Sequence, residues 1–359
     1  LFGNVRGGMA VTVALIGTLL AASTGIIGAS VVLLAVLSLP VMVKQGYSKE
    51  LAVGTVSASG CLGIIIPPSI MLVFMADQIG LPAGDLFMGA VFPGLILACL
   101  YVVYILTYSF IRPQVAPLAE DREPVGWKTV MRVLIDALPI LVLMFLVLGS
   151  IIAGIATVTE AAGVGALSAV ILAALYRKLN LSMLRESLRG TFDTMGYIFA
   201  IIAGASVFAF VVRALGGDEI IEDALTSLPF GDLGLILFML FCVFLLGFFL
   251  DWIEITFILL PLITPIIAGI DLAVPGYGVV DNPALVWFTI LVAVTIQTSF
   301  LTPPVGYALF YVKGVCPPEI KMAHVYRGVI PFVILQLIAV SIVFVWPSIA
   351  TWLPAYVYG

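Results

Sequence analysis

Two pairs of adjacent prolines interrupt long apolar stretches, and they limit the possible folds more than any other feature of the sequence. Pro67-Pro68 stands in "GIIIPPSIML" and Pro303-Pro304 stands in "FLTPPVGYAL". Proline removes a backbone donor and clashes with the preceding helical turn. Each stretch is therefore predicted to be a helix that breaks in its middle.

The rest of the composition places these broken helices in a membrane. A soluble domain is about half apolar and about a quarter charged, whereas 63% of these 359 residues are hydrophobic and 10% are charged. Apolar runs at 86–111, 138–157 and 329–346 approach the roughly 20 residues that cross a bilayer as a helix. Their Gly, Ala and Leu content favours helices over the alternating pattern of a membrane barrel. The sequence predicts an all-α, polytopic protein of the lipid bilayer.

Several classes of function are disfavoured by what the chain contains. The net charge is -5, without a basic run, so no nucleic-acid partner is expected. A single histidine, His324, argues against a histidine metal site or catalytic triad, and the four scattered cysteines are expected to be small apolar residues. The chain starts at Leu1, without a start methionine or signal peptide, so we expect an N-terminal part to be missing.

Loop charges predict the orientation of the segments, because Lys and Arg concentrate on the cytoplasmic side of membrane proteins. The loops at 112–128 and 177–190 carry positive residues and are predicted to lie inside. The loops at 216–232 and 269–283 contain no Lys or Arg and are predicted to lie outside. Lys44 and Lys49 place the start of the first broken helix inside, whereas the loop at 269–283 places the start of the second outside. The two halves of the chain are therefore predicted to run in opposite directions across the membrane.

We interpret the two halves as inverted-topology repeats, each with a re-entrant helical hairpin and a Pro-Pro-broken helix. Ser30 stands ten residues before Pro40, and Asp251 stands ten before Pro261, as expected for matching hairpins. The predicted boundaries are a first repeat 1–111 (inner hairpin 9–43, broken helix 51–79, span 86–111), a cytoplasmic linker 112–132, a scaffold helix pair with a cytoplasmic loop 133–190, and a second repeat 191–359 (span 191–213, outer hairpin 233–268, broken helix 284–312, span 328–347).

Broken helices inside lipid point to a binding site near the middle of the membrane. Irregular backbone survives there only where protein or a cavity supplies partners. A half-helix C-terminus offers carbonyl oxygens to a cation, and a half-helix N-terminus offers N–H groups to a carboxylate. Paired discontinuous helices of this kind indicate a secondary transporter.

The polar residues at the breaks and hairpin tips are the candidate cation ligands. In the first half they are Ser23, Thr24, Gly25, Ser30, Ser57, Ser59 and Gly60. In the second half they are Asp251, Thr256, Thr298, Ser299 and Thr302. The candidate substrate-facing positions of the broken helices are Pro67, Pro68, Ser69, Pro303, Pro304 and Gly306.

Simpler interpretations stay open for these residues. Ser and Thr in membrane helices often bond their own backbone. Asp251 and Glu254 are functional candidates as membrane acids, or they belong to a tip at the outer interface. Glu160 in "TVTE" is expected to cap a helix through a capping box.

Four motifs carry a resemblance to a known family: "LGIIIPPSI", "TVTEAAGVGAL", "GFFLD" and "LTPPVGYALF". In this order and spacing, the chain resembles the large membrane subunit of tripartite ATP-independent periplasmic (TRAP) transporters of bacteria and archaea. The "QTSFLTPPVGYALFYVKGV" version is similar to the branch associated with 2-oxo acids and other monocarboxylates. Trp252 and Glu254 follow Asp251 where many relatives carry small or proline residues.

The resemblance implies a multi-pass subunit in the cytoplasmic (inner) membrane, not an enzyme. It implies sodium-coupled import of small organic acids by an elevator mechanism, with Na⁺ at the candidate ligands and substrate between the hairpin tips. It also implies two partners, a small four-helix membrane subunit and a periplasmic substrate-binding protein that delivers the acid. The alternative is a proton-coupled carrier or exporter, or an ion channel, without a soluble partner.

Overall fold

A computed structural model describes residues 2, 4–118, 126–270, 272, 274 and 282–358. Within those residues the chain is all-helical, and eight helices are long and apolar enough to cross a membrane. The chain is thus a multi-pass membrane protein, as the sequence predicts. Residues 119–125 of the predicted linker lie outside the described residues.

The first part of the chain forms a helical hairpin, a broken helix and a long span. Gly25, with a positive φ of 62°, ends the first hairpin arm, and Ser48 caps the broken helix by accepting from the Leu51 amide. Its first segment ends in a 3₁₀ turn at Leu62–Ile64, before the proline pair. The helices are α1 (Gly8–Thr24), α2 (Ile27–Lys44), α3 (Lys49–Cys61), α4 (Ile70–Ile79) and α5 (Ala83–Ile111).

The middle part contains long helices that pack little against the rest of the chain. Only 6% of the most apolar stretch of α6, of α7 and of α8 is buried. The helices are α6 (Trp127–Ile152), α7 (Val158–Leu175), α8 (Leu181–Ala214) and α9 (Gly217–Thr226). The first two pack against each other.

Helix α8 corrects one predicted boundary. A loop is predicted up to Gly190 and a span from Thr191, but the helix already begins at Leu181. Asn180 caps it by accepting a hydrogen bond from the Met183 amide at 2.7 Å. No proline follows within the helix, so the basic segment continues as its first turns.

The last part repeats the order of the first: two hairpin arms, a broken helix and a long span. Asn282 caps the broken helix, and Thr302 ends its first segment. The helices are α10 (Gly231–Leu246), α11 (Trp252–Gly269), α12 (Pro283–Leu301), α13 (Tyr307–Val315), α14 (Met322–Val345) and α15 (Ser348–Tyr358). In α11 the residues Ile255–Leu259 form a π turn.

The two broken helices occupy the interior. Helix α12 is buried along its whole length, and α3 packs on α1, α2 and α14. The second segment of each broken helix packs on the hairpin of the other half: α4 packs on α11, and α13 packs on α2. Each half therefore completes the surroundings of the hairpin in the other half.

Small residues let α3 and α14 cross closely. A side chain at Gly54 would collide with the Gly328 carbonyl oxygen and with Phe332, and one at Gly328 would collide with the Glu50 carbonyl oxygen. Close backbone approach through small residues is a common way for membrane helices to associate. This crossing joins the first half to the second.

We expect Gly54→Ala to lower the free energy of unfolding by about 1–3 kcal/mol, because the added methyl group overpacks the crossing. The measurement is thermal unfolding of the purified protein in lipid nanodiscs. Gly196→Ala in α8 is the control, because its methyl group would meet no atom within 4 Å. Equal melting temperatures for the two variants would contradict the close crossing.

Candidate functional site

The first break lies in residues 62–69, between α3 and α4, and Ser69 closes it. The Ser69 hydroxyl donates to the Ile64 carbonyl at 2.6 Å and accepts from the Leu72 amide at 3.4 Å. Pro67 is buried and Pro68 is half-buried. Ser69 therefore connects the end of one half-helix to the start of the next by hydrogen bonds. This residue, predicted to face the substrate, has a structural role.

The tip of the first hairpin covers this break. Gly63 lies so close to the Ala21 carbonyl that a side chain there would collide with it, and Gly60 lies equally close to Val31. At the tip, the hydroxyls of Thr24 and Ser30 are hydrogen-bonded to each other. The side chain of Ser23 lies outside the described residues.

Two predicted cation ligands of the first half have unused hydroxyls. Ser57 and Ser59 are fully buried, and among the described residues their hydroxyls have no hydrogen-bond partner. Ser59 lies against Gly17 of α1. Buried hydroxyls without a partner are costly, so these two oxygens are available to a ligand.

The second break lies in residues 302–306, and its polar side chains mostly bond their own helix. Thr298 donates to the Val294 carbonyl at 2.9 Å, and Thr302 donates to the Thr298 carbonyl at 2.7 Å. These are the backbone bonds of the simpler interpretation. Each hydroxyl oxygen still keeps lone pairs that can accept from, or bind to, another group.

Ser299 and Tyr307 connect the second break to the second hairpin, α10 and α11. The Ser299 hydroxyl lies 3.1 Å from the Phe244 carbonyl of α10, and the Tyr307 hydroxyl donates to the Phe249 carbonyl at 3.1 Å. Gly247 has no room for a side chain, because Ser299 fills the space beside it. Each break is thus packed against the tip of the hairpin that precedes it.

The second tip carries the acidic residues. Asp251 caps α11 by accepting from the Trp252 amide at 2.8 Å, and Thr256 donates to the Trp252 carbonyl at 2.7 Å. Trp252 and Phe257 pack on Phe74 of α4, with ring centres 6.0 and 5.4 Å apart respectively. The tip is therefore fixed against the broken helix of the first half.

Three tyrosines that are absent from the predicted site lie near the second tip. Tyr197, Tyr307 and Tyr311 are all within electrostatic range of the Asp251 carboxylate. Tyr311 also reaches the first hairpin, since a side chain at Gly28 would meet its ring at 3.2 Å. The i, i+4 spacing of "YALFY" directly after the second break places Tyr307 and Tyr311 on one helix face, and that spacing was the available signal.

A cavity of about 250 Å³ opens beside the first tip and the first break. Thr24, Gly25, Pro68 and Ser69 line one side of it, and apolar residues of α6 and α7 line the other. It thus brings together four of the predicted site residues, two from the first tip and two from the first break. Small-molecule sites are commonly apolar hollows with a few placed polar groups.

Glu160 lies apart from these groups and has the expected capping role. Its carboxylate accepts from the Thr157 amide at 2.8 Å, and the Thr157 hydroxyl accepts from the Glu160 amide at 3.3 Å. Within the part of the chain that the structure describes, no group of three or more His, Cys, Asp or Glu residues lies together as metal ligands. Any ion at the hairpin tips would thus depend on hydroxyl and carbonyl oxygens with Asp251.

Sequence comparisons connect this geometry to known proteins. Residues 1–349 match the family described as "Tripartite ATP-independent periplasmic transporter, DctM component". The chain is 29% identical to a "C4-dicarboxylate TRAP transporter large permease protein DctM" of Vibrio cholerae, over 99% of the chain and 80% of that relative. It is 30% identical to the protein of the same description from Pseudomonas aeruginosa, over 98% and 78%. It is 29% identical to an "Isethionate TRAP transporter permease protein DctMQ" of Oleidesulfovibrio alaskensis, over 97% and 52%.

We expect Tyr307→Phe to loosen the second tip, because it removes only the hydroxyl that holds the Phe249 carbonyl. The lost hydrogen bond is worth about 1 kcal/mol, so amide exchange at residues 247–251 should rise by about fivefold. Hydrogen–deuterium exchange mass spectrometry measures this. Tyr356→Phe at an exposed position is the control, and unchanged exchange at the tip in Tyr307→Phe would refute the anchoring role.

Proposed function

Since the chain belongs to the DctM-component family of tripartite ATP-independent periplasmic transporters, and is thus a large membrane subunit and not an enzyme, we propose that it imports small organic acids coupled to sodium. The observation that carries this proposal is that each proline pair leaves two helix ends facing each other against a hairpin tip. Helix ends buried in this way supply oxygen ligands and N–H donors without any charged side chain.

Sodium is the proposed coupling ion because the donors are oxygens, all of them neutral except the carboxylate of Asp251. Carbonyl groups at the ends of α3 and α12 carry partial negative charge, and oxygen ligands suit hard cations. In the first half, the unused hydroxyls of Ser57 and Ser59 fit this role. In the second half, the proposed oxygen donors are Thr298, Ser299 and Thr302 of the broken helix and Asp251 of the tip.

The proposed carboxylate site uses the opposite helix ends. Helix α4 begins at Ser69 and α13 begins after Gly306, and N-terminal N–H groups attract anions. The apolar wall of the 250 Å³ cavity suits the carbon skeleton of a small acid. Two relatives are named as transporters of C4-dicarboxylates and of isethionate, which agrees with organic acids as the class. The narrower monocarboxylate expectation stays a prediction.

The proposed mechanism is an elevator built from two inverted repeats. Two equivalent contacts support this mechanism: α4 packs on α11, and α13 packs on α2. A pair of inverted repeats would make the same contact twice. The sparsely packed α6, α7 and α8 supply candidate surfaces for a scaffold and for lipid. The hairpins and broken helices form the proposed moving part.

Two partners complete the proposal, a small four-helix membrane subunit and a periplasmic substrate-binding protein. The family's description as tripartite and periplasmic supports them. The relative named DctMQ supports a second membrane component. The proposed location is the cytoplasmic (inner) membrane of a bacterium or archaeon.

Sodium coupling is tested by uptake of labelled organic acids into vesicles that contain both membrane subunits, with the binding protein outside. We expect uptake to require an inward sodium gradient. The Ser57→Ala/Ser59→Ala variant should need about 10-fold more sodium for half-maximal uptake, because two oxygen ligands are worth about 1.4 kcal/mol or more.

Ser341→Ala is the matched control, since its exposed hydroxyl bonds the Leu337 carbonyl of its own helix. Uptake that ignores the sodium gradient would refute the coupling. Uptake without the binding protein, driven by a proton gradient, would instead favour the alternative of a proton-coupled carrier.

The role of the second break is tested by Pro303→Ala/Pro304→Ala. We expect this variant to insert and fold but to lose at least about 90% of uptake, because a continuous helix would withdraw the free helix ends from the site. Pro139→Ala is the control, since Pro139 lies within the continuous helix α6. Normal uptake by the double variant would contradict the role of the broken helix.

A further inference from the structure

A second polar cluster is buried between the two broken helices and the two long spans that follow them. It consists of Cys61 on α3, Tyr101 on α5, Gln297 on α12 and Gln336 on α14, and all four side chains are completely buried. The four helices pack against one another at this point. These residues belong neither to the site predicted from the sequence nor to the proposed transport site.

The polar atoms of this cluster lie close together but are incompletely satisfied. The Tyr101 hydroxyl is near enough to the amides of Gln297 and Gln336 for weak, poorly aligned hydrogen bonds. Among the described residues, no hydrogen bond of standard distance and angle reaches that hydroxyl, or the oxygen and nitrogen of either amide. Five buried polar atoms in a membrane protein are expensive unless something satisfies them.

The set of donors and acceptors identifies the kind of occupant. Both amide oxygens need donors, and both amide nitrogens need acceptors. A cation would satisfy only the oxygens, and a carboxylate would satisfy only the N–H and O–H groups. Water both donates and accepts, and a buried water typically makes about three hydrogen bonds. We infer that this cluster is an internal hydration site, in which one or more ordered waters join Tyr101, Gln297 and Gln336.

The position of the site gives it a mechanical role. Cys61 stands six residues before Pro67, and Gln297 stands six before Pro303, so the cluster contacts the same position of both broken helices. Tyr101 and Gln336 come from the long spans that follow them. The water therefore ties both broken helices and both spans into one body, and any sliding surface lies outside these four helices. This inference does not depend on sodium coupling.

The direct test is a density map of the full complex in nanodiscs, at a resolution that shows ordered water. We expect density within hydrogen-bonding distance of the Tyr101 hydroxyl and both amides. Direct hydrogen bonds among the three side chains, with no density between them, would overturn the inference. Strong density with short contacts to oxygens only would identify a cation and would also overturn it.

An independent test is a double-mutant cycle with Gln297→Leu and Gln336→Leu. Each single change leaves the remaining groups unsatisfied, so we expect each to lower the melting temperature by about 2–6 °C. The double variant should lose clearly less than the sum, because a shared network makes the two effects non-additive. Additive losses would mean that the residues do not share a site.

Gln114→Leu is the matched control, because Gln114 is exposed on a short 3₁₀ turn after α5. It should leave the melting temperature unchanged within about 1 °C, as surface substitutions usually do. If the double variant does not fold, the density map of the native complex decides the question alone.

Discussion

Backbone groups that face lipid must find partners within the protein, and this requirement shapes the whole molecule. A proline pair in a membrane helix frees several N–H and carbonyl groups at once. Here the neighbouring hairpin covers each break: Gly63 lies against the Ala21 carbonyl in the first half, and Ser299 reaches the Phe244 carbonyl in the second. The breaks and the hairpins are therefore parts of one structural solution, because neither would be stable in lipid without the other.

Packing of each second segment on the hairpin of the other half explains how two separate breaks can act together. Helix α13 packs on α2, and α4 packs on α11, so a shift of either hairpin changes the surroundings of the other half. Tyr311 illustrates the connection, because it lies against Gly28 of the first hairpin and within range of Asp251 of the second. A transporter that couples two ligands needs contact of this kind between their sites.

Local signals made most of the architecture predictable, while contacts distant in sequence did not. Proline pairs and runs of apolar residues act within a few residues, so the apolar helices and the two breaks follow from the sequence. The start of α8 at Leu181 is not predicted, because a basic segment between two apolar runs is typical of a loop. The unused hydroxyls of Ser57 and Ser59 and the cluster at Gln297 depend on which helices meet, and one sequence does not contain that information.

The π turn at Ile255–Leu259 also has a consequence for the acidic tip. A π turn accommodates one residue more than an α turn, and in a regular helix each residue advances the chain by about 100°. Relative to an unbroken α-helix, Trp252 and the tip before it are therefore turned by about 100° about the axis of α11. Loss of one residue from this segment would restore a regular helix and turn the tip, with Asp251, to another side of the arm, with no change in composition at the tip. Spacing within the arm, as much as residue identity, determines which way the acid faces.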